Sequence, residues 1–304
     1  MLALSDMRPP PKWAEFPRYP VIAGTILLAV AVTIAWWSKW DVSMLLATAE
    51  IRRGQLWRLF TSIFPHVDIL HLLFNVYWLW VFGSLIEGVC GHAKTAAFIA
   101  LFAVGSSSFE FALAQGGVGL SGVGYGFFGL LWVLSRRDER FRDSIDRRTV
   151  VVFVVWFFFC IATTLTHTFA VGNVAHAAGA VLGILVGLTI TIRVRRLLVA
   201  SAIVAIVAFG LWGSTLGRPR LNLSGKAGFE EGQWGYSALL ADHNEEAVRW
   251  LRDATTLQPK SPELWMDLGI AYQRLGNIPA ATAAYRQAHN LKPDDPTYSV
   301  PTDK

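Results

Sequence analysis

Charge is scarce in this chain of 304 residues. Only 16% are Asp, Glu, Lys or Arg, where soluble domains carry about 25%. Cysteine is almost missing. Cys90 and Cys160 both fall in or beside apolar runs, which excludes a disulfide framework and a cysteine-based zinc site and reads them as small buried hydrophobes. The His-Glu-x-x-His pattern of zinc proteases is absent. His66 precedes His71 by five residues, a spacing that does not bring two metal ligands onto one helical face. The apolar runs contain no Asp, and their only acids are Glu87 and Glu110. Neither a metal nor a cofactor is called for. Basic excess is also missing from the C-terminal part: residues 1–216 hold 17 Lys/Arg against 11 Asp/Glu, and residues 217–304 hold 10 against 11. The net charge of +5 therefore reads as membrane topology, not as nucleic-acid binding.

Hydrophobic residues make up 53% of the chain and 13 residues are Trp. Seven apolar runs approach or reach the length that crosses a bilayer, near residues 20–37, 71–89, 95–114, 119–135, 149–168, 174–192 and 197–216. The first Ala-x-Ala pattern after the first run, Ala47-Thr48-Ala49, lies well beyond its end, so the run reads as a retained anchor rather than a signal peptide. Basic residues orient the set. The tail before span one and the loops after spans two, four and six hold 13 Lys/Arg, and the loops on the other side hold 4. The positive-inside rule then places the N-terminus in the cytoplasm and the segment after residue 216 outside it. The lipid bilayer is the first partner implied.

Three polar motifs stand near the outer ends of the even-numbered runs: His71-x-x-x-Asn75, Gly119-Leu120-Ser121-Gly122 and Ala175-His176-x-x-Gly179. Each is common enough alone. Together, inside hydrophobic runs where polar groups are costly, they supply a nucleophile, a base and oxyanion donors. Ser121 needs a base to take its proton, and His176 is the best placed of the outer-side candidates. With no obvious acid to orient the imidazole, the set reads as a Ser–His dyad. His71 and Asn75 share a helical face and join the Ser121 N–H as oxyanion donors. Tyr125, one turn after Ser121, can pack on the imidazole. Gly119, Gly122 and Gly179 offer small faces for the close helix approach that a Ser–His contact requires.

The tail has its own period. Trp265, Leu268, Gly269, Tyr272, Gly276, Ala281, Tyr285, Ala288 and Pro293 form a pattern, and subtracting 34 from Gly269, Ala281, Ala288 and Pro293 gives Gly235, Ala247, Ala254 and Pro259. This resembles the tetratricopeptide repeat, with two units over about 228–261 and 262–295, fewer than the three usual for independent stability.

Residues 50–190 resemble the rhomboid family of intramembrane serine proteases. The likeness rests on Trp57-Arg58, His66, His71 to Asn75, Glu87, Gly119 to Gly122 with Tyr125, and Asn173 to Gly179. It implies a six-helix core with nucleophile Ser121, base His176, oxyanion donors His71 and Asn75, and Trp57-Arg58 as a structural element of the first loop. An extra span resembles the six-plus-one variants. The expected fold class is an all-α polytopic membrane protein followed by a small soluble helical repeat domain. The expected division is a cytoplasmic tail at 1–19, the protease core at 20–192, the seventh span at 193–216, a linker at 217–227, repeats at 228–295 and a tail at 296–304. The expected setting is a bacterial cytoplasmic membrane, with transmembrane proteins as substrates and a protein or peptide partner for the repeats. The alternative is a catalytically silent relative that binds or chaperones transmembrane clients, which loss of Ser121 or His176 would favour.

Overall fold

The computed structural model describes residues 10–166, 168–169, 171–225 and 227–299. Parts of the expected tails at 1–19 and 296–304, of the linker at 217–227 and of the fifth apolar run lie outside the described residues. Among those described there is no strand. The helices are α1 (Pro20–Trp37), α2 (Arg58–Thr61), α3 (Ile69–Cys90), α4 (His92–Leu113), α5 (Ser121–Arg137), α6 (Arg147–Leu165), α7 (Asn173–Thr191), α8 (Arg196–Ser214), α9 (Arg218–Leu221), α10 (Phe229–Leu240), α11 (Asn244–Leu257), α12 (Pro262–Arg274) and α13 (Ile278–Leu291). The chain divides into two compact units, the first ending at Arg218 and the second starting at Pro219.

Local chemistry sets the boundaries of the long helices. Pro20 opens α1 at the position where a missing N–H costs nothing. Asp68 caps α3 by accepting the His71 N–H at 2.8 Å, and Asp146 caps α6 through the Thr149 N–H at 2.8 Å. Gly91, at φ +83°, turns the chain between α3 and α4. Among the described residues, six helices are long and apolar enough to cross a membrane: α1, α3, α4, α6, α7 and α8. The fourth apolar run behaves differently from the rest. It forms α5, only 17 residues long, and begins at Ser121 rather than at 119 because Gly119 takes φ +107°, outside the helical region.

This short helix is the centre of the first unit. Val123, Phe127, Leu130, Leu131 and Leu134 of α5 are fully buried, whereas α6 and α8 leave Val155, Phe158, Val204 and Phe209 exposed for lipid. In a bilayer, burial alone does not draw helices together, because lipid tails are as apolar as leucine, so close contact must do it. The α5–α7 pair makes that contact backbone to backbone. The place a Cβ would take on Gly179 lies 3.1 Å from the Gly122 carbonyl carbon and 3.3 Å from the Gly126 nitrogen, and on Gly183 it lies 2.9 Å from the Leu130 nitrogen.

The second unit holds α10 to α13 as two helical hairpins. The 34-residue period is visible in the contacts. Gly235 leaves room for Leu251, and 34 residues on, Gly269 leaves room for Tyr285. Ala247, Ala254, Ala281 and Ala288, small residues at repeated positions, are buried where the paired helices meet. After α13 a single 3-10 turn (Pro296–Tyr298) folds back, with the Tyr298 hydroxyl donating to Glu263 at 3.0 Å and its ring buried.

Candidate active site

Ser121 is the first residue of α5, so its N–H and the next ones along have no intrahelical acceptor. The turn that delivers it is clamped from both sides. The Gly119 N–H donates to the Ser62 carbonyl at 3.0 Å, and the Leu120 N–H donates to His66 Nε2 at 3.3 Å. His66 is fully buried, and its Nδ1 lies 2.9 Å from the Phe64 carbonyl. These partners define a neutral ring that donates at Nδ1 and accepts at Nε2. Burial, reinforced by His71 nearby, pushes its pKa down to about 3, so it stays neutral at ordinary pH. His66 is thus a structural clamp for the serine turn. A metal-ligand role leaves that hydrogen bond unexplained.

His176 is buried on the first turns of α7. The ring of Tyr125, one turn below Ser121, stacks on it with centroids 4.5 Å apart and planes at 22°. The Tyr125 hydroxyl is itself fixed by donating to the Phe153 carbonyl at 3.1 Å. Gly122, next to Ser121, is separated by ordinary contact from Ala175, next to His176: a Cβ on Gly122 would sit 3.6 Å from that of Ala175. Ser121 and His176 are therefore neighbours across the α5–α7 seam. No hydrogen bond joins them in the structure, and His176 Nδ1 is buried without a partner. Among the described residues, no carboxylate orients the imidazole.

The third contributor is α3. His71 stands against the serine turn, where a Cβ on Gly119 would lie 2.7 Å from its Cε1 and 2.8 Å from its Nε2. The φ of Gly119 and this close approach both require glycine there. His71 also meets His66 edge-on, with ring centroids 4.8 Å apart. Asn75, one turn on and buried, donates from Nδ2 to the His71 carbonyl at 2.9 Å, which leaves the second amide hydrogen available. Trp57 and Arg58 lie elsewhere. Arg58 is buried and binds Gln55 Oε1 at 2.7 Å, the Leu46 carbonyl at 3.1 Å and the Ser43 carbonyl. Trp57 is half exposed and donates to the Met44 carbonyl at 3.3 Å. Both organise the first loop, and their hydrogen bonds stay within it.

Helix α6 is held to the rest mainly by rings. Phe153 meets Tyr125, Phe128, Trp78 and Phe82, and Trp156 stacks on Phe74 of α3 at 5.1 Å. Such contacts are softer than the backbone seam between α5 and α7.

The architecture is that of a polytopic α-helical membrane protein with His66 and His71 against the start of a short central helix and His176 stacked on Tyr125 one turn along it. Residues 53–193 match the Rhomboid domain and residues 262–295 match the tetratricopeptide repeat, so the chain carries a rhomboid domain followed by a repeat region. The Rhomboid protease GlpG of Salmonella paratyphi A (strain ATCC 9150 / SARB42) is 26% identical over 200 residues, covering 64% of this chain and 68% of that protein. The Rhomboid protease GlpG of Salmonella newport (strain SL254) is 28% identical over 186 residues, covering 58% of this chain and 63% of that protein.

Proposed function

We propose that the chain is an intramembrane serine protease that hydrolyses peptide bonds in or beside transmembrane segments of other proteins. The observation that carries this reading is the α5–α7 seam, which brings the start of α5 with Ser121 beside the first turns of α7 with His176, whose ring stacks on Tyr125. Ser121 Oγ attacks the scissile carbonyl while His176 takes its proton and later returns it to the leaving amine. The face of Tyr125 favours the transient imidazolium, since an aromatic ring attracts a cation above it. His71, the free amide hydrogen of Asn75 and the Ser121 N–H are the donors for the oxyanion. A helix offers no accessible peptide bond, so the substrate must unwind locally. Small or helix-destabilising residues near the cut are expected.

The basic-residue asymmetry supports a bacterial cytoplasmic membrane with the N-terminus inside, and the seven apolar runs of the sequence, with the short α5 taken as a crossing beside the six longer helices, support an extracytoplasmic repeat region. On that topology the repeats recruit a substrate's outer portion or a regulator. Labelling by a serine-reactive fluorophosphonate tests the catalytic reading. The native chain should label and cleave a model transmembrane substrate, and Ser121→Ala should do neither. Equal labelling of the two would refute it.

A further inference from the structure

Two carboxylates lie within the apolar bundle, and both act on a neighbouring helix. Glu87 of α3 is buried and accepts the N–H groups of Val21 and Ile22, each at 2.9 Å, at the start of α1. Glu110 of α4 is buried and accepts the Ala175 N–H at 2.9 Å at the start of α7, with the Val174 N–H beside it. In each case the donors are the second and third residues of their helix, whose N–H groups have no acceptor of their own. The carboxylate also meets the positive end of the helix dipole. A buried acid is costly in lipid unless it is hydrogen-bonded in this way.

What distinguishes Glu110 is the helix it holds. Ala175 directly precedes His176. The residue before α7 is Gly172, so the helix has no side-chain cap of its own. Gly172 and Gly117 let the chain close over the carboxyl group: a Cβ on Gly172 would lie 3.4 Å from Glu110 Cδ, and one on Gly117 would lie 3.5 Å from Cγ. The end of α4 that bears Glu110 is itself anchored. Arg218, which follows α8, donates to the Ala114 carbonyl at 2.7 Å and sets its guanidinium 3.7 Å from the centre of the Phe111 ring. His176, by contrast, has no hydrogen bond at Nδ1 to orient its ring. The position of the imidazole is then set by the Tyr125 ring stacked on it and by the backbone that carries it.

We propose that Glu110 is a positioning residue for His176: by accepting N–H groups of the first turn of α7, it fixes the depth and rotation at which the imidazole meets Ser121. The proposal rests on the reading of Ser121 and His176 as the catalytic dyad.

The test uses the full-length protein in micelles and compares Glu110→Gln and Glu110→Ala with the native chain. Three quantities are read: hydrogen exchange in residues 172–178, the fluorophosphonate labelling rate, and kcat and KM on a transmembrane substrate. Glu110→Ala should speed exchange and lower both labelling and kcat by about tenfold to a hundredfold, the loss expected from a small misplacement of a reacting group. KM should stay within about twofold, because no substrate-binding group is removed. Glu110→Gln keeps a carbonyl acceptor and should recover most of the loss. If Glu110→Ala does not fold, Glu110→Asp, which withdraws the carboxylate by one methylene, replaces it with the same expectations. Native labelling in Glu110→Ala, or Glu110→Gln as impaired as Glu110→Ala, would overturn the proposal. Ser121→Ala separates the two failures. If that variant labels and cleaves normally, the dyad reading falls, and unchanged exchange in Glu110→Ala would then remove the positioning role as well.

Discussion

Adding one methyl group to Gly179 tests whether the active geometry depends on backbone contact between α5 and α7. In Gly179→Ala the new Cβ would stand 3.1 Å from the Gly122 carbonyl carbon and 3.3 Å from the Gly126 nitrogen, and nearer still to the Gly122 oxygen. Carbon contacts settle at about 3.5–4.0 Å. The obstacle is helix backbone on both sides, not a side chain that can rotate away. The helices must therefore part by about 1 Å at the level just below Ser121 and His176. Overfilling a close contact costs roughly 1–3 kcal/mol of stability, and a displacement of that size between reacting groups costs about a hundredfold in rate. Gly124→Ala is the matched control. It lies on the same helix as Ser121, with nothing within 4 Å of its would-be Cβ, and alanine favours the helix by roughly 0.5–1 kcal/mol. The assay is fluorophosphonate labelling with turnover of a transmembrane substrate, read beside thermal unfolding in the same detergent. Gly179→Ala should lose about a hundredfold in both activities while Gly124→Ala keeps them. Native labelling in Gly179→Ala would show that the seam does not set the Ser121–His176 distance.

Asn75→Ala should lower turnover by about 10²–10³-fold, the usual loss for one oxyanion donor, while Ser121 still labels detectably; His71→Ala should behave similarly, and unchanged turnover in both would make these residues packing groups. Acid should loosen the serine turn through His66. Its pKa falls to about 3 on folding, so below pH 6.5 the unfolded chain binds a proton that the folded loop excludes, and stability drops by about 1.4 kcal/mol per pH unit until about pH 3. Thermal unfolding between pH 6 and 4 should show a steeper loss in the native chain than in His66→Gln; parallel slopes would contradict the neutral clamp. Removing residues 224–304 should impair selected substrates more than generic peptide-bond cleavage, since Ser121, His176, His71 and Asn75 remain. A cysteine introduced near Ser261, in a chain with Cys90 and Cys160 replaced, should react with a membrane-impermeant reagent from the extracytoplasmic side, and reaction only after the cytoplasm is opened would reverse the proposed topology.

The amino-acid sequence by itself determined the all-helical class, the order of the apolar helices and the 34-residue period of the tail, because hydropathy, run length and repeated small residues are properties of neighbouring positions. Expected spans and observed helices agree to within a few residues, as for 20–37 against Pro20–Trp37 and 174–192 against Asn173–Thr191. It also named the polar residues that stand out within apolar runs. What only the tertiary structure decided was which distant groups answer each other. The Leu120 N–H reaches His66 across 54 positions and the Ala175 N–H reaches Glu110 across 65. No local pattern marks either pair. His66 read as a weak metal candidate and Glu110 as an acid without an evident task, yet one holds the serine turn and the other the helix of His176. The fourth apolar run reads as short and glycine-rich, but its place as the buried centre depends on glycines of α7 that admit the backbone of α5 at contact distance. Such choices turn on separations of a few tenths of an ångström between segments far apart in the chain, and those separations exist only once the helices are assembled.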